Sequence, residues 1–185
     1  MKRKYLIRPL KSQADKEFGV GIFSKAINQR WGIPHSVAQN WVKAEFQHPS
    51  AVIFGAFWLN CLVGVGCCIP LVAVLEDLTD QEIEQLKNTL RMNCRGVSYS
   101  QIIHIGGLGI NREENLGLGN HLAQEMINYA GDHGYNVIIA RTASNNPKLI
   151  NWHRRVWGGE ELFRTEKTTW LWASLNTRPI EKILE

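Results

Sequence analysis

Two glycine clusters carry the most pointed chemistry in this sequence. Gly106-Gly107-Leu108-Gly109-Ile110 closes an apolar stretch, and Leu116-Gly117-Leu118-Gly119 opens an amphipathic one. Glycines let a backbone approach a ligand closely, and the unpaired N–H groups at a helix N-terminus point at negative charge. The chemistry this arrangement predicts is capture of an anion by backbone amides. Two familiar anion loops are excluded. The chain has no Gly-x-x-x-x-Gly-Lys-Ser/Thr run, so it has no P-loop. A dinucleotide-binding turn would need a third glycine where Arg112 and Leu122 stand.

The elements that must hold these glycines are legible in the flanking pattern. Residues 5–9 read as a strand ended by Pro9, and residues 14–30 and 36–47 as two helical segments parted by Gly32-Ile33-Pro34. Residues 51–59 and 62–71, rich in Val, Ile, Phe and Trp, read as a hairpin around Asn60-Cys61. Thr79-Asp80-Gln81-Glu82 is a capping box, followed by Ile83, Leu86 and Leu90 at helical spacing. Residues 98–108 form the strand that runs into the glycines. Residues 118–132 form the helix after them, with Leu118, Leu122, Ala123, Met126, Ile127 and Ala130 in one stripe. Gly134 stops that helix, 137–142 is a strand, and Asn146-Pro147 opens another helix as N-cap and first-turn proline. Residues 162–163 and 168–175 flank Thr165-Glu166-Lys167 as a closing hairpin. The order β, α, α, β, β, α, β, α, β, α, β, β predicts an α/β (α+β) fold: one mixed sheet with helices on its faces.

The chain has 185 residues, 44% hydrophobic and 21% charged, which suits a single domain spanning 1–185. The longest apolar run, 62–75, is short and interrupted by Gly and Pro, so no membrane span is expected. The basic start Met1-Lys2-Arg3-Lys4-Tyr5 lacks the apolar stretch of a signal peptide, which predicts a cytoplasmic location. The net charge is +4, but Lys and Arg are dispersed beyond the first residues. That argues against nucleic acid as the partner and suits a small phosphate-bearing ligand. Cys61, Cys67, Cys68 and Cys94 show no metal-site spacing; they are expected to be core thiols, and no metal is expected.

Glu114-Asn115-Leu116-Gly117-Leu118-Gly119 resembles the Arg/Gln-x-x-Gly-x-Gly/Ala pyrophosphate loop of the GNAT-superfamily N-acetyltransferases. The context matches as well: a strand before, a helix after, then Gly134-Tyr135 and the strand Val137-Ile138-Ile139-Ala140. Asn146, Leu149 and His153 stand where the family has Asn, a small residue and often Tyr, and Ile7-Arg8-Pro9 is similar to the family's first strand. The resemblance covers nearly the whole chain, and its specific part lies between about 98 and 160. Three departures stand out. Glu114 replaces the usual Arg or Gln, His153 replaces Tyr, and the closing Gly-Phe is here Trp157-Gly158-Gly159.

The resemblance implies a single GNAT-like domain with a mostly antiparallel mixed sheet and helices on both faces. It implies acetyl-CoA as co-substrate and direct attack of a primary amine on the thioester. The amides of Leu116, Gly117, Leu118, Gly119 and Asn120 would take the phosphates, with Asn146 nearby. Amides near Leu108 and Ile110, on a splayed strand, would polarise the acyl carbonyl. His153 would be the acid for the leaving thiolate; the competing reading is a solvent-facing helix histidine beside Arg154 and Arg155. His104 stands near the register where some members carry a glutamate base; the competing reading is a hydrogen-bonded strand histidine. Trp31 could line the acceptor pocket, whereas most of the tryptophans are expected to be packing residues, and His121 and His133 surface residues. The acceptor is an amine of a small molecule, peptide or protein, and a homodimer is one assembly this allows. Two rivals stand beside this reading: a catalytically weak acyl-CoA-binding sensor or subunit, and an unrelated α/β protein whose glycine turn is only structural.

Overall fold

The computed structural model describes residues 5–111 and 117–175. In chain order these form β1 (Leu6–Pro9), α1 (Gln13–Trp31), α2 (His35–Gln47), β2 (Val52–Trp58), β3 (Cys61–Pro70), α3 (Leu71–Val74) and α4 (Asp80–Asn93). Then follow β4 (Ile102–Ile110), α5 (Leu118–Asp132), β5 (Val137–Ala143), α6 (Pro147–Trp157), β6 (Glu160–Arg164) and β7 (Thr168–Ser174). The succession matches the sequence pattern, with the short α3 added. Pro70 has no N–H to extend the β3 ladder, so Leu71 turns into a helix instead of ending the strand. β4 starts at Ile102 rather than 98, because Ser98 and Gln101 close a capping box around a 3-10 turn at Tyr99–Gln101.

The strands form one seven-stranded sheet in the order β1-β2-β3-β4-β5-β7-β6. β4 and β5 run parallel, a pairing that needs a crossover, which α5 provides. The pairs β1–β2, β2–β3, β5–β7 and β6–β7 are antiparallel. This is the mixed, helix-flanked α/β sheet expected from the sequence.

Packing divides the chain into two compact units, Met1–Cys68 with Gly106–Met126, and Ile69–Ile105 with Ile127–Glu185. In the first, the period-2 alternation of β3 assigns its faces. Val65 and Cys67 join Val20 and Phe23 of α1 and Val42 and Phe46 of α2 in one buried cluster. The alternate residues Gly64 and Gly66 face α5: a Cβ on Gly64 would stand 3.1 Å from Leu122, and one on Gly66 would overlap the Met126 sulfur. Helices thus cover both faces of this unit's strands. Ser12 caps α1 by accepting from the Asp15 amide at 3.0 Å, an interaction of about 1 kcal/mol.

In the second unit, Ile102, Ile103, Val137, Ile138, Ile139, Trp170 and Leu171 are all buried. α4 carries the predicted capping box, with Glu82 and Thr79 bonding each other's backbone N–H. α6 begins where the sequence indicated: the Asn146 side chain accepts from the Leu149 amide at 3.1 Å and Pro147 occupies the first turn. Among the cysteines the expectation of burial holds for Cys67, Cys68 and Cys94 but not for Cys61, which is exposed. Cys61 follows the hairpin turn at Leu59 and Asn60, and that turn is itself at the surface. No helix among the described residues is long and apolar enough to cross a membrane.

Candidate functional site

Side chains on a regular strand alternate between faces, and β4 breaks that rule at its glycines. A Cβ on Gly106 would collide with Glu45 Oε1 and lie 3.2 Å from Cys67, while one on Gly107 would enter the Phe23 ring. Glu45 and Phe23 belong to α2 and α1, so two consecutive residues point to the same side. Leu108 returns to the α5 side, 3.0 Å from the Cβ position of Gly66, and Gly109 again meets α1. A same-side pair of this kind is what a β-bulge produces. It lies just ahead of the span from Leu108 to Ile110. Leu108 is buried, Ile110 is half-buried, and the Asn111 amide ties the strand end to the Val63 carbonyl at 3.0 Å.

Residues 112–116 lie outside the described residues, and with them Glu114 and Leu116 of the motif. Gly117 resumes the chain at φ +78, left-handed backbone that a side chain rarely adopts, and its carbonyl accepts from the amides of Asn120 and His121. None of the turn or cap hydrogen bonds among the described residues uses the amides of Gly117, Leu118 or Gly119. These are the N–H groups that a helix start offers to an anion. The fully buried Leu118 side chain anchors the turn. Around Gly64, Leu118 and the Gly109 carbonyl come together, within 3.2 and 3.4 Å of its Cβ position. The end of the glycine strand and the start of the helix are therefore held side by side.

One residue escaped the sequence reading. Glu45 is half-buried and lies over Gly106 beside Cys67. Burial first, then the Glu45 carboxylate and the neighbouring Cys68, push the Cys67 thiol well above its ordinary range, and its side chain hydrogen-bonds Glu45. Burial and Glu45 also raise Cys68. Both thiols are therefore protonated at neutral pH, and Cys67 donates to the carboxylate. The signal was available: Ala38, Val42 and Phe46 are the buried stripe of α2, and Glu45 follows Val42 by three residues onto that stripe.

The two candidate histidines occupy the second unit. His104 on β4 is 7% exposed, lies 6.0 Å from the Trp170 ring, and neither ring nitrogen has a hydrogen-bond partner among the described residues. Among the described residues, then, it lacks the hydrogen bond of the competing reading. Burial, then the charges of Arg141 and His153, lower its pKa from 6.5 to about 3, so the ring is neutral. His153 on α6 is buried at 8% exposure rather than facing solvent. Its Nδ1 accepts from Trp157 Nε1 at 2.8 Å, and the rings of Trp152 and Trp157 stand edge-on to it at 4.9 and 5.3 Å.

Asn146 spends its side-chain oxygen on the cap of α6. Gly119 is half-buried and Asn120 exposed, at the start of α5; Trp31 is half-buried and ends α1. His121 and His133 are exposed, as expected. Among the tryptophans Trp157 and Trp170 are packed, whereas Trp41 is 57% exposed. Among the described residues no cluster of three His, Cys, Asp or Glu side chains is arranged to hold a metal ion.

Comparison with known proteins supplies the family. The profile of the Acetyltransferase (GNAT) family matches residues 22–158. A search of curated proteins returns no match. Among solved structures, the PaiA N-acetyltransferase of Thermoplasma acidophilum in complex with coenzyme A is similar at TM-score 0.65 and 11% identity, covering 92% of this chain and 99% of its own. The ribosomal-protein-alanine N-acetyltransferase of Brucella melitensis gives 0.61 and 17%, covering 92% and 99%. An acetyltransferase of Bacillus subtilis, in complex with CoA, gives 0.57 and 11%, covering 93% and 99%. At these identities the structures speak to the fold.

Proposed function

Because the chain belongs to the GNAT family of acetyltransferases, we propose that it moves an acetyl group from acetyl-CoA to a primary amine by direct attack on the thioester. The observation that carries this reading is the glycine strand leading to a helix start whose amides, at Gly117, Leu118 and Gly119, take no part in turn hydrogen bonds among the described residues. Two of the similar structures hold coenzyme A, which supports the same ligand here. A nucleic acid, a membrane and a metal have no part in the reading; a cytoplasmic location does.

Acetyl-CoA supplies an activated thioester; the chain must hold its phosphates, polarise the carbonyl and manage two protons. The amides of Gly117, Leu118 and Gly119 take the phosphates, helped by the positive end of the α5 dipole, whereas the Asn120 amide is spent on the Gly117 carbonyl and Leu116 lies outside the described residues. Asn146 offers its side-chain N–H, since its oxygen caps α6. Amides of the bulged strand, near Leu108 and Ile110, bond the acyl oxygen as it gains negative charge. The nitrogen–carbon bond forms and the carbon–sulfur bond breaks. The Nε2–H of His153 hydrogen-bonds the departing sulfur, and the thiolate takes its proton from solvent, because a ring whose Nδ1 accepts from Trp157 is neutral and too weak an acid to give its proton up. The amine gives up a proton in turn. A ring that stays neutral down to about pH 3 is a poor acceptor, so in this reading His104 is a neutral neighbour and not the base. The Glu45 carboxylate, over Gly106, takes the proton instead and favours a cationic amine. In this reading Trp31 lines the acceptor pocket.

The test is thiol release from acetyl-CoA across a panel of small amines, peptides and protein lysines. Turnover with one acceptor is expected, and Glu45→Gln should lower kcat by roughly 100-fold, as loss of a general base does. No thiol release with any amine would overturn the catalytic reading.

A further inference from the structure

We infer that Trp157 is a positioning residue, whose indole N–H fixes His153 in the tautomer that donates from Nε2. The purpose of the device rests on the acetyl transfer proposed above; its chemistry rests on geometry alone. An indole N–H is a donor and never an acceptor. The 2.8 Å bond from Trp157 Nε1 to His153 Nδ1 therefore requires a lone pair on Nδ1. In the neutral ring the single proton is then on Nε2. Trp157 is 1% exposed and His153 8%, so water does not compete for the bond.

The residues around the pair explain how it forms. Positions 153 and 157 are four apart on α6, which stacks them on one helix face. Gly158 then ends the helix in the left-handed conformation, and its amide and that of Gly159 both bond the His153 carbonyl. A Cβ on Gly159 would stand 3.0 Å from two atoms of the Trp157 ring, so a glycine there leaves the indole its place. The departure Trp157-Gly158-Gly159 from the family pattern is thus one unit with the departure at His153. A tyrosine at this position is always a neutral O–H donor. A histidine free to exchange tautomers presents a donor on a given side only part of the time, and the Trp157 bond removes that ambiguity.

The decisive experiment is a long-range proton–nitrogen correlation spectrum of 15N-histidine-labelled protein at about pH 8, above the ordinary histidine pKa. The His153 signals are identified by their loss in His153→Gln. A pyridine-type Nδ1 and a pyrrole-type Nε2 are expected in the wild type. Trp157→Phe should give a mixture of tautomers and lower kcat roughly two- to tenfold, the effect of one neutral hydrogen bond, with KM for acetyl-CoA unchanged. If Trp157→Phe does not fold, Gly159→Ala, which crowds the indole, is read the same way. A protonated Nδ1 in the wild type, or wild-type tautomer and kcat in the variant, overturns the inference. The spectrum needs no turnover, so a locked tautomer in a protein that releases no thiol would count against the acetyl-transfer reading and leave the lock standing.

Discussion

The two halves of β4 are one strand with opposite designs. From Ile102 to Ile105 the strand is packed with large buried side chains, three isoleucines and the neutral His104. From Gly106 to Ile110 three of five residues have no side chain, and a Cβ would meet the Glu45 carboxylate, the Phe23 ring and the α1 backbone. The first half makes core by filling space. The second half leaves space, so that neighbouring groups come to the backbone. The lesson is that a site can be written as missing side chains, and then its identity depends on what moves in.

The largest expected effect comes from adding one carbon to the second half. A Cβ on Gly109 would stand 2.8 Å from the Phe23 Cα and 3.0 Å from its N, backbone atoms of α1 that cannot turn aside. Gly109→Ala should cost about 3 kcal/mol by urea unfolding. Removing one carbon from the first half, Ile103→Val, should cost only about 1 kcal/mol. Equal costs would break the contrast between the halves.

The next effect tests the first half through pH. The folded-state pKa of His104 is about 3 against an ordinary 6.5. The unfolded chain therefore binds more protons between these values, and stability rises with pH across that window. The contribution is complete above about 6.5 and is lost as pH falls; from pH 7 to 5 it should amount to about 2 kcal/mol. His104→Leu should flatten that part of the profile. An unchanged slope in the variant would show that His104 titrates normally and that this half is not sealed.

Much of the fold was legible because its signals are local. The capping box at Thr79 and Glu82, the Asn146-Pro147 start and the glycine stops specify ends within a few residues of chain. The glycine turn was legible for the same reason. A splayed strand near Leu108 to Ile110 was legible only as what the family resemblance implies; that Gly106 and Gly107 meet the same side depends on which helices lie over each glycine. Glu45 was hidden because a carboxylate on an apolar stripe gains its meaning from a glycine 61 positions later (106 − 45). His153 read equally well as a solvent-facing residue until packing buried it against Trp157. Cys61 was misplaced because apolar neighbours in sequence do not show where a hairpin turns outward.

The account's central claim is that the glycine strand and the α5 start form the acetyl-CoA site. Calorimetric titration with acetyl-CoA tests it most directly, on the wild type and on Gly117→Val, which forces a β-branched residue into backbone at φ +78. The wild type should bind with a Kd on the order of micromolar, and the variant at least about tenfold more weakly. No binding heat from the wild type at roughly several hundred micromolar ligand, far above that Kd, would contradict the claim.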